Sequence, residues 1–145
     1  MNFSLSHITS IRVRYADTDK MGIVYNGNYL TYFEIGRTEL LRSLGLAYAE
    51  LEMQGIQLPV IEAHVEYKSP ALYDDVLSVK AICTLERGML LSIAYQIHKS
   101  EQLLTTGYTK HPFMNMKTGK PMRPPKQFLD IWNGNHSQSI VKEGA

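Results

Sequence analysis

Three consecutive runs in this chain alternate apolar and polar residues with a period of two, and one long apolar helical stretch precedes them. Ile61, Ala63, Val65 and Tyr67 interleave with Glu62, His64, Glu66 and Lys68. Leu77, Val79, Ala81, Cys83 and Leu85 interleave with Ser78, Lys80, Ile82, Thr84 and Glu86. Leu91, Ile93, Tyr95 and Ile97 interleave with Ser92, Ala94, Gln96 and His98. Successive side chains on a strand point to opposite faces, so this pattern predicts an antiparallel sheet with one covered face. The connections at Arg87-Gly88 and Ser100-Glu101 are short enough for hairpins. A fourth run, residues 103–114, is less regular and contains Gly107 and Pro112.

Upstream, Ile11, Val13 and Tyr15 alternate with Arg12 and Arg14, which predicts a short first strand. A loop over residues 17–27 follows. A helix is then expected from Asn28, an N-cap residue type, to about Leu44, with Gly45 past its end. At about 100° per residue, Tyr29, Leu30, Phe33, Gly36, Leu40 and Leu44 share one broad face, so a sheet should cover this helix. Gly36 weakens the helix by roughly 1 kcal/mol relative to Ala, which predicts a close approach by a neighbouring element. Arg37 falls inside the apolar arc, and Glu34, one turn earlier, is its nearest candidate partner. A second short helix is expected over residues 47–54, and a third over 126–132 behind a Pro-rich stretch. Residues 1–133 read as one domain, and 134–145, polar and without periodicity, as a flexible tail.

A chain of 145 residues is long enough to build a proper core, burying roughly 70% of its unfolded surface. With 15 basic and 14 acidic residues it carries a net charge of +1, which gives no reason to expect nucleic acid or a membrane surface as partner. No apolar run approaches the ~20 residues that span a bilayer, and no secretory leader is visible, so the expected location is the cytoplasm. The single cysteine, Cys83, lies on an apolar strand face and reads as a buried inert thiol. The five histidines show no metal-ligand spacing, so neither a metal nor any other cofactor is expected. There is no Gly-x-Ser-x-Gly elbow and no Gly-rich nucleotide loop.

The loop before the long helix concentrates the chemistry. In Tyr15-Ala16-Asp17-Thr18-Asp19-Lys20-Met21-Gly22-Ile23-Val24-Tyr25-Asn26-Gly27-Asn28-Tyr29, a carboxylate stands just ahead of a helix N-terminus. A carboxylate can attack an acyl carbon or activate water. The free N–H groups of a helix start can hold the charge that develops on a carbonyl oxygen. Ile23, Val24 and Tyr25 offer an apolar lining, and Gly22 permits close approach of a ligand.

This block, with the helix from Tyr32 to Arg42, resembles the hotdog-fold acyl-CoA thioesterases of the 4-hydroxybenzoyl-CoA thioesterase family. The resemblance implies an α+β hotdog fold, a long central helix wrapped by a curved antiparallel sheet. It further implies that Asp19, not Asp17, is the functional carboxylate, with Asp17 a structural loop residue. It implies a Tyr15 facing the reaction centre, and substrate contacts from Gly22, Ile23, Val24, Tyr25 and Asn28. Asn28 also suits helix capping. Many bacterial members carry a histidine where this chain has Asn26. An amide transfers no proton at neutral pH. Either the proton chemistry falls on Asp19, or the backbone N–H at position 26 does the work. The substrate would be an acyl-CoA, and the assembly a homodimer or a tetramer made of two dimers. Hydratases of the same fold pair a histidine with a carboxylate, and no histidine lies in residues 17–28. A non-catalytic acyl-thioester binding module remains the second reading.

Overall fold

The computed structural model describes residues 3–144, with side chains as far as residue 135. The chain forms strand β1 (Leu5–Arg12), a 3₁₀ turn (Tyr15–Asp17), helices α1 (Asn28–Ser43) and α2 (Tyr48–Met53), and then strands β2 (Ile56–Gln57), β3 (Glu62–Tyr67), β4 (Val76–Glu86), β5 (Leu90–Lys99), β6 (Gln102–Asn115) and β7 (Lys120–Met122). Helix α3 (Lys126–Gly144) ends it. All pairings are antiparallel. The order is β1-β4-β5-β6, with β3 on the far side of β6 and the short β2 and β7 on the end of β6. This is the hotdog arrangement, with α1 lying across the sheet.

The period-two alternation holds through the middle of the sheet. Val79, Ala81 and Cys83 stand opposite Ile97, Tyr95 and Ile93, and all six are buried. Helix α1 meets this face closely at Gly36, where a Cβ would come within 2.8 Å of Val79 Cγ1, which explains a glycine in mid-helix. The Phe33 ring stacks on Tyr95 with centroids 4.2 Å apart. Gly107 serves the same packing from β6: a Cβ there would meet the Phe33 ring at 2.6 Å and the His64 carbonyl. Burial pushes the Cys83 thiol up to about 12, so it stays protonated and inert.

The first strand lies earlier than expected. Its inward residues are Leu5, His7, Thr9 and Ile11, and the two polar ones hide the alternation. The chain leaves the sheet at Val13, whose N–H donates to Asp75 and whose carbonyl accepts from Asp74. Tyr15 therefore opens the 3₁₀ turn instead of ending a strand. Helix α3 also runs longer than the expected residues 126–132, continuing to Gly144. No proline interrupts that stretch, and Gly134 costs only about 1 kcal/mol.

The polar groups under α1 form one directional chain. No ion pair between Arg37 and Glu34 occurs among the described residues; the Arg37 charge instead acts on the Tyr95 hydroxyl, opposing the rise that burial causes there. Tyr95 bonds Thr109 at 2.7 Å, Thr109 bonds His111 Nε2 at 2.8 Å, and His111 Nδ1 lies 3.1 Å from the Leu58 carbonyl. Because that carbonyl only accepts, Nδ1 carries the proton, so Thr109 donates to Nε2 and Tyr95 to Thr109. Glu34, Arg37, Thr38 and His111 also line a small cavity of about 80 Å³. Burial pushes the His111 imidazole down to about 4 from its ordinary 6.5. The unfolded chain then binds the proton first, so stability falls as pH drops from 6.5 towards 4, by up to about 3 kcal/mol. Urea unfolding across that range should show this slope in the natural chain, and a flatter one in His111→Gln.

Candidate active site

Asp17 anchors the loop that leads into α1. Its side chain is buried and accepts from the Arg14 N–H (3.0 Å), the Arg14 guanidinium (2.9 Å) and the Tyr32 hydroxyl (3.0 Å). Its carbonyl accepts from the Tyr25 N–H (2.9 Å) and the Asn28 side-chain amide (2.7 Å). One residue thus holds both ends of the loop. Burial pushes the Asp17 carboxyl up, but the Arg14 guanidinium, the Arg14 N–H and the Tyr32 hydroxyl outweigh it and leave the group below its usual range. Burial and the neighbouring carboxylate push the Tyr32 hydroxyl strongly upward, so it remains a donor. The Arg14 side chain is mostly exposed, which screens its charge, so the buried Tyr32 bond fixes the carboxylate more firmly.

Residues 18–24 fold back as a small hairpin. Thr18 bridges Val24, Ile23 bridges Leu72, and the Val24 N–H donates to Ala71. Asp19 closes its tip. Its N–H donates to Ile23 (2.8 Å), and its Oδ1 accepts from Met21 (2.8 Å) and Ile23 (3.4 Å). Its other oxygen, Oδ2, has no partner among the described residues, and Asp19 is exposed. Gly22 serves this turn through its φ of +81°, a conformation that L side chains rarely adopt; open space surrounds the position.

Helix α1 begins without a side-chain cap, with Gly27 as its N-cap residue. Asn28 is not the cap: its amide is the tether to Asp17 described above. The Asn28 N–H donates to Tyr25 (2.9 Å) and the Tyr29 N–H to Asn26 (3.4 Å), which leaves the N–H groups of Asn26 and Gly27 without an acceptor among the described residues. Unpaired amides at a helix start form an anion-binding position. Asn26 also lines a cavity of about 250 Å³, with Ile23, Val24, Tyr29, Tyr67, Lys68, Ser69 and Pro70.

Of the residues singled out in the sequence, Ile23, Val24 and Asn26 meet at this cavity, and Asp19 sits on the hairpin that delivers them. Tyr25 stands at 60% exposure and does not line it. Tyr15 points outward at 77% exposure, its ring edge against Tyr73. Three contributions escaped sequence reasoning: Tyr32 as the Asp17 partner, the Ser69-Pro70 wall, and Tyr67, whose hydroxyl donates to the Asn26 carbonyl at 3.0 Å. Tyr67 stood out only as the last apolar member of an alternating strand followed by a proline turn.

The fold and the helix-start site together define a protein of the hotdog class. The sequence pattern of the thioesterase-like superfamily matches residues 13–131, and the chain belongs to that family. It is 35% identical to YneP of Bacillus subtilis (strain 168), provisionally named an acyl-CoA thioesterase, over 83% of this chain and 88% of that one. The crystal structure of DHNA-CoA thioesterase from Staphylococcus aureus superposes with a TM-score of 0.78 at 37% identity, covering 97% of this chain and 95% of that one. A hypothetical protein of Aquifex aeolicus gives 0.82 at 32% identity, covering 87% and 98%.

Because the Asp17 carboxyl is held below its ordinary 3.8, the stability it contributes is present above that pH and is lost as acid protonates the folded form. Tyr32→Phe should cost about 2 kcal/mol at pH 7. Denaturation across the pH range should show the variant and the natural chain converging in strong acid, where Asp17 is protonated in both.

Proposed function

We propose that this chain hydrolyses acyl-CoA thioesters to a carboxylic acid and coenzyme A, with Asp19 as the reacting carboxylate. The observation that carries the reading is the pair of unpaired N–H groups at Asn26 and Gly27, with a cavity that Asn26 lines together with Ile23 and Val24, and, on the hairpin that carries those two residues, a carboxylate with one oxygen tied and the other without a partner among the described residues. A thioester carbonyl oxygen set against these two amides gains most as it becomes an oxyanion, so the interaction strengthens toward the transition state. Asp19 Oδ2 then bonds to the acyl carbon as the carbon–sulfur bond breaks, and water splits the resulting anhydride. Alternatively, Asp19 takes a proton from a water whose oxygen adds to that carbon, and the proton passes to the leaving sulfur. Both routes give the same products. Neither uses the Asn26 side chain for proton transfer, so in this reading position 26 acts through its backbone. His111, the histidine beneath α1, is buried with both ring nitrogens bonded, which disfavours a hydratase. Lys68, at the cavity rim, suits a phosphate of the coenzyme.

No helix among the described residues is long and apolar enough to cross a membrane. We place the protein in the cytoplasm, where its one thiol stays reduced. We also propose a homodimer built through β3. That strand is a sheet edge, and its inward residues Ala63, Val65 and Tyr67 lie opposite Thr109, Gly107 and Thr105, yet Ala63 and Tyr67 are exposed. Leu30, Val60 and Ile61 continue the apolar surface, with Ile61 62% exposed. A second copy would cover this face and pair the open edge.

Asp19→Asn separates the catalytic reading from a binding module. The amide oxygen can still accept from Met21 and Ile23, so the hairpin survives while the nucleophile and base are lost. Thiol release from short, long and aromatic acyl-CoAs should fall by about 10³-fold or more in this variant. A natural chain that binds acyl-CoA without releasing thiol would establish the binding module. Light scattering should give two or four chains per particle, and Val60→Lys with Ile61→Lys should shift the mass to one.

A further inference from the structure

We propose that Tyr67 is a positioning residue: its hydroxyl clamps the peptide between Asn26 and Gly27 so that the Gly27 N–H faces the thioester oxygen. The inference rests on the thioesterase reading above. Each of the two free amides belongs to a peptide whose carbonyl is itself bonded. The Asn26 N–H shares its peptide with the Tyr25 carbonyl, which accepts from Asn28 at 2.9 Å within the same turn. The Gly27 N–H shares its peptide with the Asn26 carbonyl, whose local donor is the Tyr29 N–H at a long 3.4 Å. The stronger contact comes from 41 residues away, the Tyr67 hydroxyl at 3.0 Å.

That peptide needs an outside clamp because of the residue that follows it. Rotating a peptide plane changes ψ of the residue before and φ of the residue after, and glycine tolerates positive φ at no steric cost. A flip would turn the Gly27 N–H to the opposite side of the helix start and leave the rest of α1 in place. The Tyr67 hydroxyl opposes the flip by holding the carbonyl at the other end of the plane. The same bond polarises the amide and strengthens its N–H as a donor. Tyr67 is built for the task. It ends β3 opposite Thr105, its ring edge meets Tyr29 with centroids 5.3 Å apart, and the next two N–H groups, Lys68 and Ser69, both donate to the Leu104 carbonyl. The ring also forms part of the cavity wall, so hydroxyl and ring have separable roles.

Tyr67→Phe keeps the ring and removes only the clamp. It should lower kcat by about tenfold, less than removal of a direct oxyanion donor, with KM within about twofold. The Gly27 amide nitrogen resonance should move upfield and its proton exchange faster, while the melting temperature changes little. Tyr67→Leu, which also removes the wall, should raise KM as well. A kcat within twofold of the natural chain in Tyr67→Phe overturns the proposal, as does a loss confined to KM or an unmoved Gly27 resonance. The natural chain and Asp19→Asn belong in the same assay. If the natural chain releases no thiol, the thioesterase reading falls and the oxyanion role with it, whereas an unmoved Gly27 resonance rejects the clamp alone.

Discussion

The hydrogen bond from the Tyr32 hydroxyl to the Asp17 carboxylate joins the helix interior to the loop that precedes it, and the geometry of the site follows from that joint. Tyr32 is one turn into α1 and buried against the sheet, so its hydroxyl is a fixed point. Asp17, held there, presents its carbonyl to Tyr25 and Asn28 and sets where the helix starts. The arrangement lets the helix begin without a cap: the side chain that would have capped it is used as a tether, and two amides stay open. Leaving polar groups unpaired costs stability unless a solvent or ligand atom meets them.

The two aspartates of the loop illustrate how environment separates identical side chains. Asp17 spends both oxygens on partners and is buried, whereas Asp19, two residues on, ties one oxygen to its own hairpin and leaves the other without a partner among the described residues. A carboxylate with every lone pair engaged is a structural element; one with a free oxygen on a rigid turn is available for chemistry.

Much of the fold was legible because the sheet writes a period of two into the sequence and one face of it is covered throughout. Gly36 was legible for a related reason, since a glycine in mid-helix implies a neighbour that needs the space. The misreadings share a cause as well. Val13 and Tyr15 continue the alternation of Ile11 after the chain has left the sheet, because Val13 finds its backbone partners in residues 74 and 75 instead of a strand. Asn28 has the residue type of a cap, and only the position of the Asp17 carbonyl reveals the tether. Tyr67 meets Asn26 across 41 residues, and no local pattern encodes such a contact. The loop that carries Asp19 was visible in the sequence, while its hairpin form and the Leu72 bridge that pins it were not.

The chain of donors from Tyr95 through Thr109 and His111 to the Leu58 carbonyl has a polarity, because each hydroxyl passes its single proton in one direction. Its links belong to β5, β6 and the segment that leads into β3. Sliding or rotating any of these against the others would break the series at one point and leave a buried donor or acceptor without its partner. The series therefore holds β5 and β6 in one fixed register with the segment feeding the exposed sheet edge, so that edge and the sheet beneath α1 cannot drift apart independently.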